Sequence, residues 1–443
     1  MKKKIFSLMI VLAAFLIAVP VMAADDDLSG VNKRLGELEK KVDALSQTEQ
    51  TTNQEQAKKI EELTERLQDF DSYLHRQKGL QSLDIGGFKF GLGTTVIFQG
   101  LHHANSVLVG DNNVLVPSFS LDITAERELP SIGGDVFLHI ESGQSLGVED
   151  DIDVYSNLNR DAYNIVDLRP TELWYQQLLF GQRFAVKLGK LDTTIYFDRN
   201  RAANDETTQF LGRMFRNNPA IDFPNNTLGL RLALIPVDWI ELSYGLFDST
   251  AEWQNFSRHL FNIGEIRIMP RIAGLGGNYR FILWHNNGHH TDWLDQSHTC
   301  RGAYGFALSF DQNVSKNIIL FARFGWQNPR YFNPLNVNTD GTPFSLEYAW
   351  SGGVSLDGAM WGREDDVIGL GFGQAMPSPD YKAANPGIKA LNEFHTELYY
   401  NLHIIRNLSV TPDFQAVVNP FGGDSAADKG AIYAGAVRFQ IDF

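Results

Sequence analysis

The sequence predicts an all-β transmembrane barrel of about 16 antiparallel strands, preceded by an N-terminal α-helical coiled coil. Three observations predict the barrel. Apolar and polar residues alternate over segments that approach the roughly 9 to 11 residues a tilted strand needs to cross a bilayer. The connections between those segments alternate between short and long. The chain ends Val437-Arg438-Phe439-Gln440-Ile441-Asp442-Phe443, with an apolar residue at every second position up to a terminal Phe. A net charge of -15, from 53 acidic and 38 basic side chains, argues against a nucleic-acid binder. The single cysteine, Cys300, excludes a disulfide framework within the chain and a cysteine-rich zinc or iron–sulfur centre, so no cofactor is expected.

The chain opens with a targeting pattern. Lys2, Lys3 and Lys4 precede an apolar run from Ile5 to Val19, small residues at Val21-Met22-Ala23 mark a cleavage site, and Asp25, Asp26 and Asp27 follow. Residues 1–23 therefore read as a signal peptide, and the protein as exported. No later run of about 18 apolar residues occurs, so a membrane crossing would use strands.

Residues 24–79 read as a periplasmic coiled-coil stalk. Leu28, Val31, Leu35, Leu38, Val42 and Leu45 are spaced alternately three and four apart, which is a heptad seam. The seam resumes at Ile60, Leu63, Leu67, Phe70 and Leu74, after a spacing one residue longer than two heptads, so its register slips. A stripe this narrow has nothing to bury against in one helix, which favours self-association without fixing two strands or three.

Residues 80–443 form the barrel domain. Phe88, Phe90, Leu92, Thr94, Val96 and Phe98 share one face of a strand, and Lys89, Gly91, Gly93, Thr95 and Gln99 share the other. The same split recurs in residues 118–126, 393–404 and 433–443. Short turns are expected at residues 129–133, 181–182, 235–237, 311–316, 357–363 and 405–406, and long loops at 101–116, 142–168, 193–225, 327–343, 374–392 and 419–430. Fifteen strands are plain, an odd number that breaks the alternation between Phe247 and Gly302. Taking His259 to Ile268 as a further strand, followed by a tight Met269-Pro270-Arg271 and a strand from Ile272 to Trp284, restores an even count with both termini on one side.

Particular segments then carry a resemblance. Glu172-Leu173-Trp174-Tyr175-Gln176-Gln177, Lys187-Leu188-Gly189-Lys190-Leu191-Asp192, residues 203–211 beginning Ala203-Asn204-Asp205-Glu206, Gly277-Asn278-Tyr279-Arg280, and residues 411–420 beginning Thr411-Pro412-Asp413 occur in an order that resembles the carbohydrate-selective outer-membrane porins of the OprB type. The resemblance covers about residues 88–443. It implies a 16-stranded barrel in the bacterial outer membrane, a homotrimer, and passage of sugars. The coiled coil lies outside it.

Facilitated diffusion needs no nucleophile, only a constriction that replaces part of a solute's hydration without holding it. The third long loop is the candidate: Asp198, Arg199, Arg201, Asp205, Glu206, Arg213 and Arg216 bring both signs of charge, and Phe197, Phe210, Leu211, Met214, Phe215 and Phe223 favour packing against the wall. With Leu228, Leu230, Leu232 and Leu234 toward lipid, Arg231 faces the lumen, and the same parity sends Lys187, Glu172, Trp174, Arg280 and Asp413 inward. Guanidinium donors and carboxylate acceptors suit vicinal hydroxyls, and Trp174 is a candidate stacking platform for a sugar ring.

Two alternatives are open at this stage. An anion or phosphate pore would use the same arginines, although Asp198, Asp205 and Glu206 among them would repel anions. An envelope tether would grip the cell wall through the stalk. His285, His289, His290, His298 and Cys300 crowd one loop without the spacing of an established metal site, and no motif arranges a hydrolytic triad, so neither a metal nor an enzymatic activity is expected.

Overall fold

The computed structural model describes residues 83–443 apart from 107–112, 163, 254–255, 257, 301, 426 and 428–429. The signal peptide and the coiled coil expected from the sequence lie outside the described residues.

Sixteen long strands form the wall: β1 (Phe88–His102), β2 (Asn113–Leu129), β3 (Gly134–Gln144), β4 (Arg169–Leu179), β5 (Phe184–Leu191), β6 (Thr227–Val237), β7 (Ile240–Asp248), β8 (Leu260–Ile268), β9 (Leu275–Asn286), β10 (Ala303–Ser315), β11 (Ile318–Gln327), β12 (Leu346–Asp357), β13 (Val367–Pro377), β14 (Glu393–Ile405), β15 (Leu408–Val418) and β16 (Ile432–Asp442). Each pairs antiparallel with its neighbours in sequence. The sheet closes where β1 meets β16, in a register running from Gly93↔Asp442 to His102↔Tyr433. Closure leaves no edge, so every ladder group is satisfied within the wall, the condition for crossing hydrocarbon.

Burial is inverted relative to a water-soluble sheet. Leu283 is 71% exposed on the outer face of β9, whereas Arg231 on the inner face of β6 is 1% exposed. Phe98, Leu188, Ile266, Phe281, Phe372, Leu398 and Phe414 point outward, and Arg267, Arg280, Arg438, Lys187, Glu241 and Glu265 are buried within. Only a solvent that is itself apolar makes this arrangement favourable, because exposed leucine in water forfeits about 1.5–3 kcal/mol per side chain and an isolated buried charge costs far more. A cation on the outer face should therefore be costly. Val437→Lys in β16 is expected to lose roughly 2 to 4 kcal/mol near the bilayer midplane. The folded fraction recovered in lipid, read from heat-modifiable gel mobility, measures it, and unchanged insertion would mean that Val437 does not face lipid.

The strand added to restore alternation is present as β8, and β9 follows it. Several turns differ from the expected bounds; the one expected at residues 235–237 falls at 238–239, since β6 runs through to Val237. The one at residues 269–274 is longer than Met269-Pro270-Arg271, because Arg271 and Ile272 pair back onto Gly276 and Leu275 before β9 rises. The turn expected from residue 311 begins only at Lys316, since β10 runs through to Ser315. Asp311 thus lies within β10 and not in the turn. It is instead an inner-face carboxylate held by Arg280 and Arg201.

Candidate pore constriction

The third long loop, residues 192–226, turns into the barrel. It starts on Asp192, whose carboxylate accepts the Thr194 amide at 2.8 Å to cap a 3₁₀ turn, Thr193–Ile195. It carries a single four-residue helix, α1 (Arg213–Arg216). The loop crosses to the far wall, where Glu397 of β14 accepts the amides of Leu211 and Gly212 at 2.5 and 2.9 Å. Arg438 of β16 donates to the carbonyls of Glu206 and, at 2.8 Å, Gln209. Arg323 of β11 donates to the Phe215 carbonyl at 2.5 Å and the Asp198 carbonyl at 2.9 Å. Phe210 packs 4.9 Å from Tyr399 and 5.4 Å from Phe321, ring centre to ring centre. Room for this docking comes from Gly371 and Gly373 on the inner face of β13. A Cβ at Gly371 would lie 2.8 Å from the Phe215 ring, and one at Gly373 would lie 2.4 Å from Met214.

A second loop, residues 145–168, folds inward with it, which the sequence reading did not anticipate. Its Arg160 amide donates to Leu211 O at 2.9 Å, and the Arg213 amide donates to Asn157 O at 3.0 Å, so the two loops brace each other. Glu149 accepts the Leu158 and Asn159 amides at 2.8 and 2.7 Å, and Glu393 accepts those of Tyr155, Ser156 and, from a further loop, Phe421. Desolvation pushes the Glu149 carboxyl up to about 7 against those hydrogen bonds. Buried carboxylates, Glu149 within the loop and Glu393 on β14, thus take the place of regular structure in fixing these loops.

The charged residues expected at the constriction fall into separate groups. Asp198, Arg199 and Arg201 join one wall. Asp198 pairs with Arg323 at 3.2 Å, and burial raises its carboxyl despite that guanidinium. Arg199 approaches Glu241 at 3.8 Å, the carboxylate that also takes Arg231 at 2.9 Å and Arg267 at 3.0 Å. Arg201 binds Asp311 at 2.6 Å, and Arg280 binds the same carboxylate at 3.0 Å while standing 3.8 Å from Glu265. Arg216 and Glu206 lie apart from these and pair with each other, with Arg216 also bound to Thr194 at 2.8 Å. Arg213 belongs to the contact between the two loops, and burial together with nearby Arg160 lowers its guanidinium to about 10. Asp205 caps its own turn through Thr207 and Thr208. Arg213 and Arg216 are thus engaged away from Arg231, Arg213 at the contact with the second loop and Arg216 within the third.

Trp174 does not serve as a stacking platform. One face lies on Phe137 at 5.0 Å and the other is covered by the Lys187 ammonium 3.3 Å from the ring centre. Lys187 also donates to Tyr196 Oη at 3.2 Å, and Tyr196 in turn donates to buried Glu172 at 3.2 Å. Glu241, Glu265, Arg267, Asp311 and Arg323 were missed among the paired residues. The available signal was a charge at the inward phase of an otherwise apolar strand, as in Ile266-Arg267-Ile268.

Exposure separates the two sides of the barrel. The side chains of Arg231, Arg267, Arg280 and Arg323 are 0–2% exposed, whereas those of Asp122, Glu141, Asp192 and Glu206 on the β2–β5 side are 16–29% exposed. Among the paired arginines of the opposite wall, Arg201 keeps the most contact with solvent, at 34%. In the histidine-rich loop, His290 is committed to the protein. Its Nε2 lies 2.9 Å from Asp222 of the third loop and its Nδ1 lies 3.2 Å from Gly288 O. Burial lowers the imidazole's affinity for a proton and Asp222 more than restores it, so its pKa lies above the usual histidine value.

A model of the carbohydrate-selective porin family, OprB, matches residues 139–443. Among solved structures, the high-pH structure of OprB from Pseudomonas putida is similar at 18% identity and a TM-score of 0.66, covering 81% of this chain and 94% of that one. The low-pH structure of the same Pseudomonas putida protein is similar at 17% identity and a TM-score of 0.50, covering 81% and 93%. No curated protein sequence matches this chain.

Proposed function

As a member of the carbohydrate-selective porin family, OprB, this chain is an outer-membrane porin for selective passive diffusion of sugars, and we propose that it selects its solutes where the third loop lies against the arginine wall. The observation that carries this reading is the pairing of guanidinium with carboxylate along that wall, from Arg231 and Glu241 through Arg267 and Asn278 to Asp311 and Arg201. A hydroxyl-bearing solute can exchange water for a fixed donor and a fixed acceptor side by side, and can leave because neither was free to close on it. Arg201, 34% exposed, is the member of that wall a solute reaches, and Asp198, Arg199, Arg231 and Arg280 lie buried behind it in the paired network that fixes the charge of the lining. Glu172 and Lys187 hold Tyr196 and Trp174 in place behind the narrowing.

The same observation weighs against the anion or phosphate pore. Nearly all the guanidinium groups of that wall are buried and paired, while the groups that reach solvent on the other side are carboxylates. Further parts of the reading rest on sequence alone: a homotrimer, short turns and both termini in the periplasm, and a stalk of residues 24–79 that reaches toward the cell wall. No step of the transport calls for a reaction, a nucleophile or a cofactor.

Swelling of liposomes that hold the purified protein tests the selectivity. Neutral monosaccharides should enter faster than sugar acids of the same size. Equal rates, or faster entry of the acids, would sink the reading.

A further inference from the structure

We propose that Asp122 on β2 and His139 and Glu141 on β3 form a binding site for a divalent cation of the zinc type, set in the inner wall opposite the arginines. One ligating atom from each of the three residues lies within 4.8 Å of the other two. His139 Nε2 is 2.8 Å from Asp122 Oδ1, and His139 Nδ1 is 3.4 Å from Glu141 Oε1. With Nε2 as the ligating nitrogen, the Asp122 oxygen is already inside the roughly 3.3 Å edge of a tetrahedral shell with bonds of about 2 Å, and Glu141, whose 3.4 Å approach is to the other ring nitrogen, has to turn its carboxylate toward the ion. The strand registers hold the set in place: Asp122 is directly across from Glu141, and His139 is directly across from Glu172 of β4.

Glu172 adds a buried acceptor oxygen beside the site. Its side chain is wholly buried, and its Oε1 has no hydrogen-bond partner. A buried carboxylate oxygen left so is costly unless positive charge is close; Lys187 acts on Glu172 from one side, and the residue directly across the ladder on the other is the imidazole of the proposed site. The surroundings add to the negative potential. Asp192 and Glu206 act on Glu141, and Asp161 stands within electrostatic reach of Asp122 and Glu206. Asp122 and Glu141 keep 25% and 29% of their side chains exposed, so an ion arriving through water can reach them.

The donor set points to the class of ion. One imidazole nitrogen and two carboxylates, with water completing the shell, suit zinc and its first-row neighbours. Calcium prefers six to eight oxygens and should bind more weakly. The ring nitrogen that ligates gives up its proton, and the other keeps a partner. Thr171 Oγ1, 3.1 Å from Nδ1, is placed for that role. The competing occupant is a proton, with an imidazolium bridging the two carboxylates and no metal bound.

The test is calorimetric titration of the full-length protein, folded in detergent and stripped with chelator, first with zinc chloride and then with calcium chloride. A second set of histidines must be controlled, because the rings of His259 and His289 lie 4.5 Å apart on the external loops. The expected result is one zinc site per chain, weakened about tenfold or more in His139→Gln and in Glu141→Gln and unchanged in His259→Gln/His289→Gln. Calcium should compete only at far higher concentration. Glu141→Gln keeps the test open if His139→Gln does not fold, since Glu141 is only partly buried. Absence of saturable zinc binding, binding that both inner variants leave intact, or binding lost in the loop variant would overturn the proposal.

Discussion

Glu397→Ala is expected to raise single-channel conductance severalfold and to blunt discrimination among solutes. Glu397 alone accepts both the Leu211 and the Gly212 amides where the third loop meets the far wall. Truncation leaves two buried N–H groups without a partner, each costing about 1–3 kcal/mol. Phe210 still packs on Tyr399 and Phe321 and the second loop still holds the Leu211 carbonyl, but the nearest polar tie to the wall is then the pair of Arg438 contacts on Glu206 and Gln209. The loop should detach and widen the throat. Glu397→Gln keeps one acceptor oxygen and should give an intermediate value. Currents in planar bilayers decide the matter, and a parental conductance in the alanine variant would place the third loop outside the conducting path.

The second large effect is expected at Glu241. Its carboxylate lies among Arg231, Arg267 and Arg199, all buried, and Ser243 donates to it as well. Glu241→Gln leaves three guanidinium groups with less negative charge than they need, and breaking a buried pair from one side costs about 3–5 kcal/mol. The variant should unfold at a lower temperature and shift ion preference toward anions, because the uncompensated potential in a throat of low dielectric is then positive. Glu241→Leu/Arg231→Leu should recover part of the lost stability, since removing both partners leaves less charge unpaired. The gel-mobility transition on heating and the reversal potential in a salt gradient are the two readings. A variant as stable as the parent, with unchanged selectivity, would mean that water reaches the network and screens it.

The barrel was legible because its two governing patterns are local. Side-chain direction alternates with period two wherever a strand runs, so Arg231, Lys187, Glu172, Trp174, Arg280 and Asp413 could each be turned inward from their neighbours alone. The loops were legible by length and composition, but their partners were not. Nothing near Leu211 in sequence announces Glu397, and nothing near Tyr155 announces Glu393, because these contacts join segments that only the closed sheet brings together. Trp174 shows the limit of phase: parity placed it inside correctly, but the Phe137 and Lys187 that cover its two faces sit on neighbouring strands. Asp311 shows the limit of composition, since a carboxylate bound by two arginines reads the same as a turn until its partners are known. The segment Gly369-Leu370-Gly371-Phe372-Gly373 was the strongest signal left unread. Its inner-face glycines are the seat for Phe215 and Met214.

The seam between β1 and β16 bears on how the protein comes to exist. It pairs Gly93 with Asp442, nearly the whole barrel domain apart, so the contact that completes the wall is also among the most distant in the chain. Loop-closure entropy makes such a contact slow to form. Until it does, the growing sheet carries two unsatisfied edges, and an open edge is disfavoured in hydrocarbon and prone to pairing with other chains in water. Assembly is thus close to all-or-none. A chain stalled one hairpin short would keep every local feature of the finished wall and still be an aggregation hazard, so the last stitch, more than any single hairpin, sets how much of this protein survives its own biogenesis.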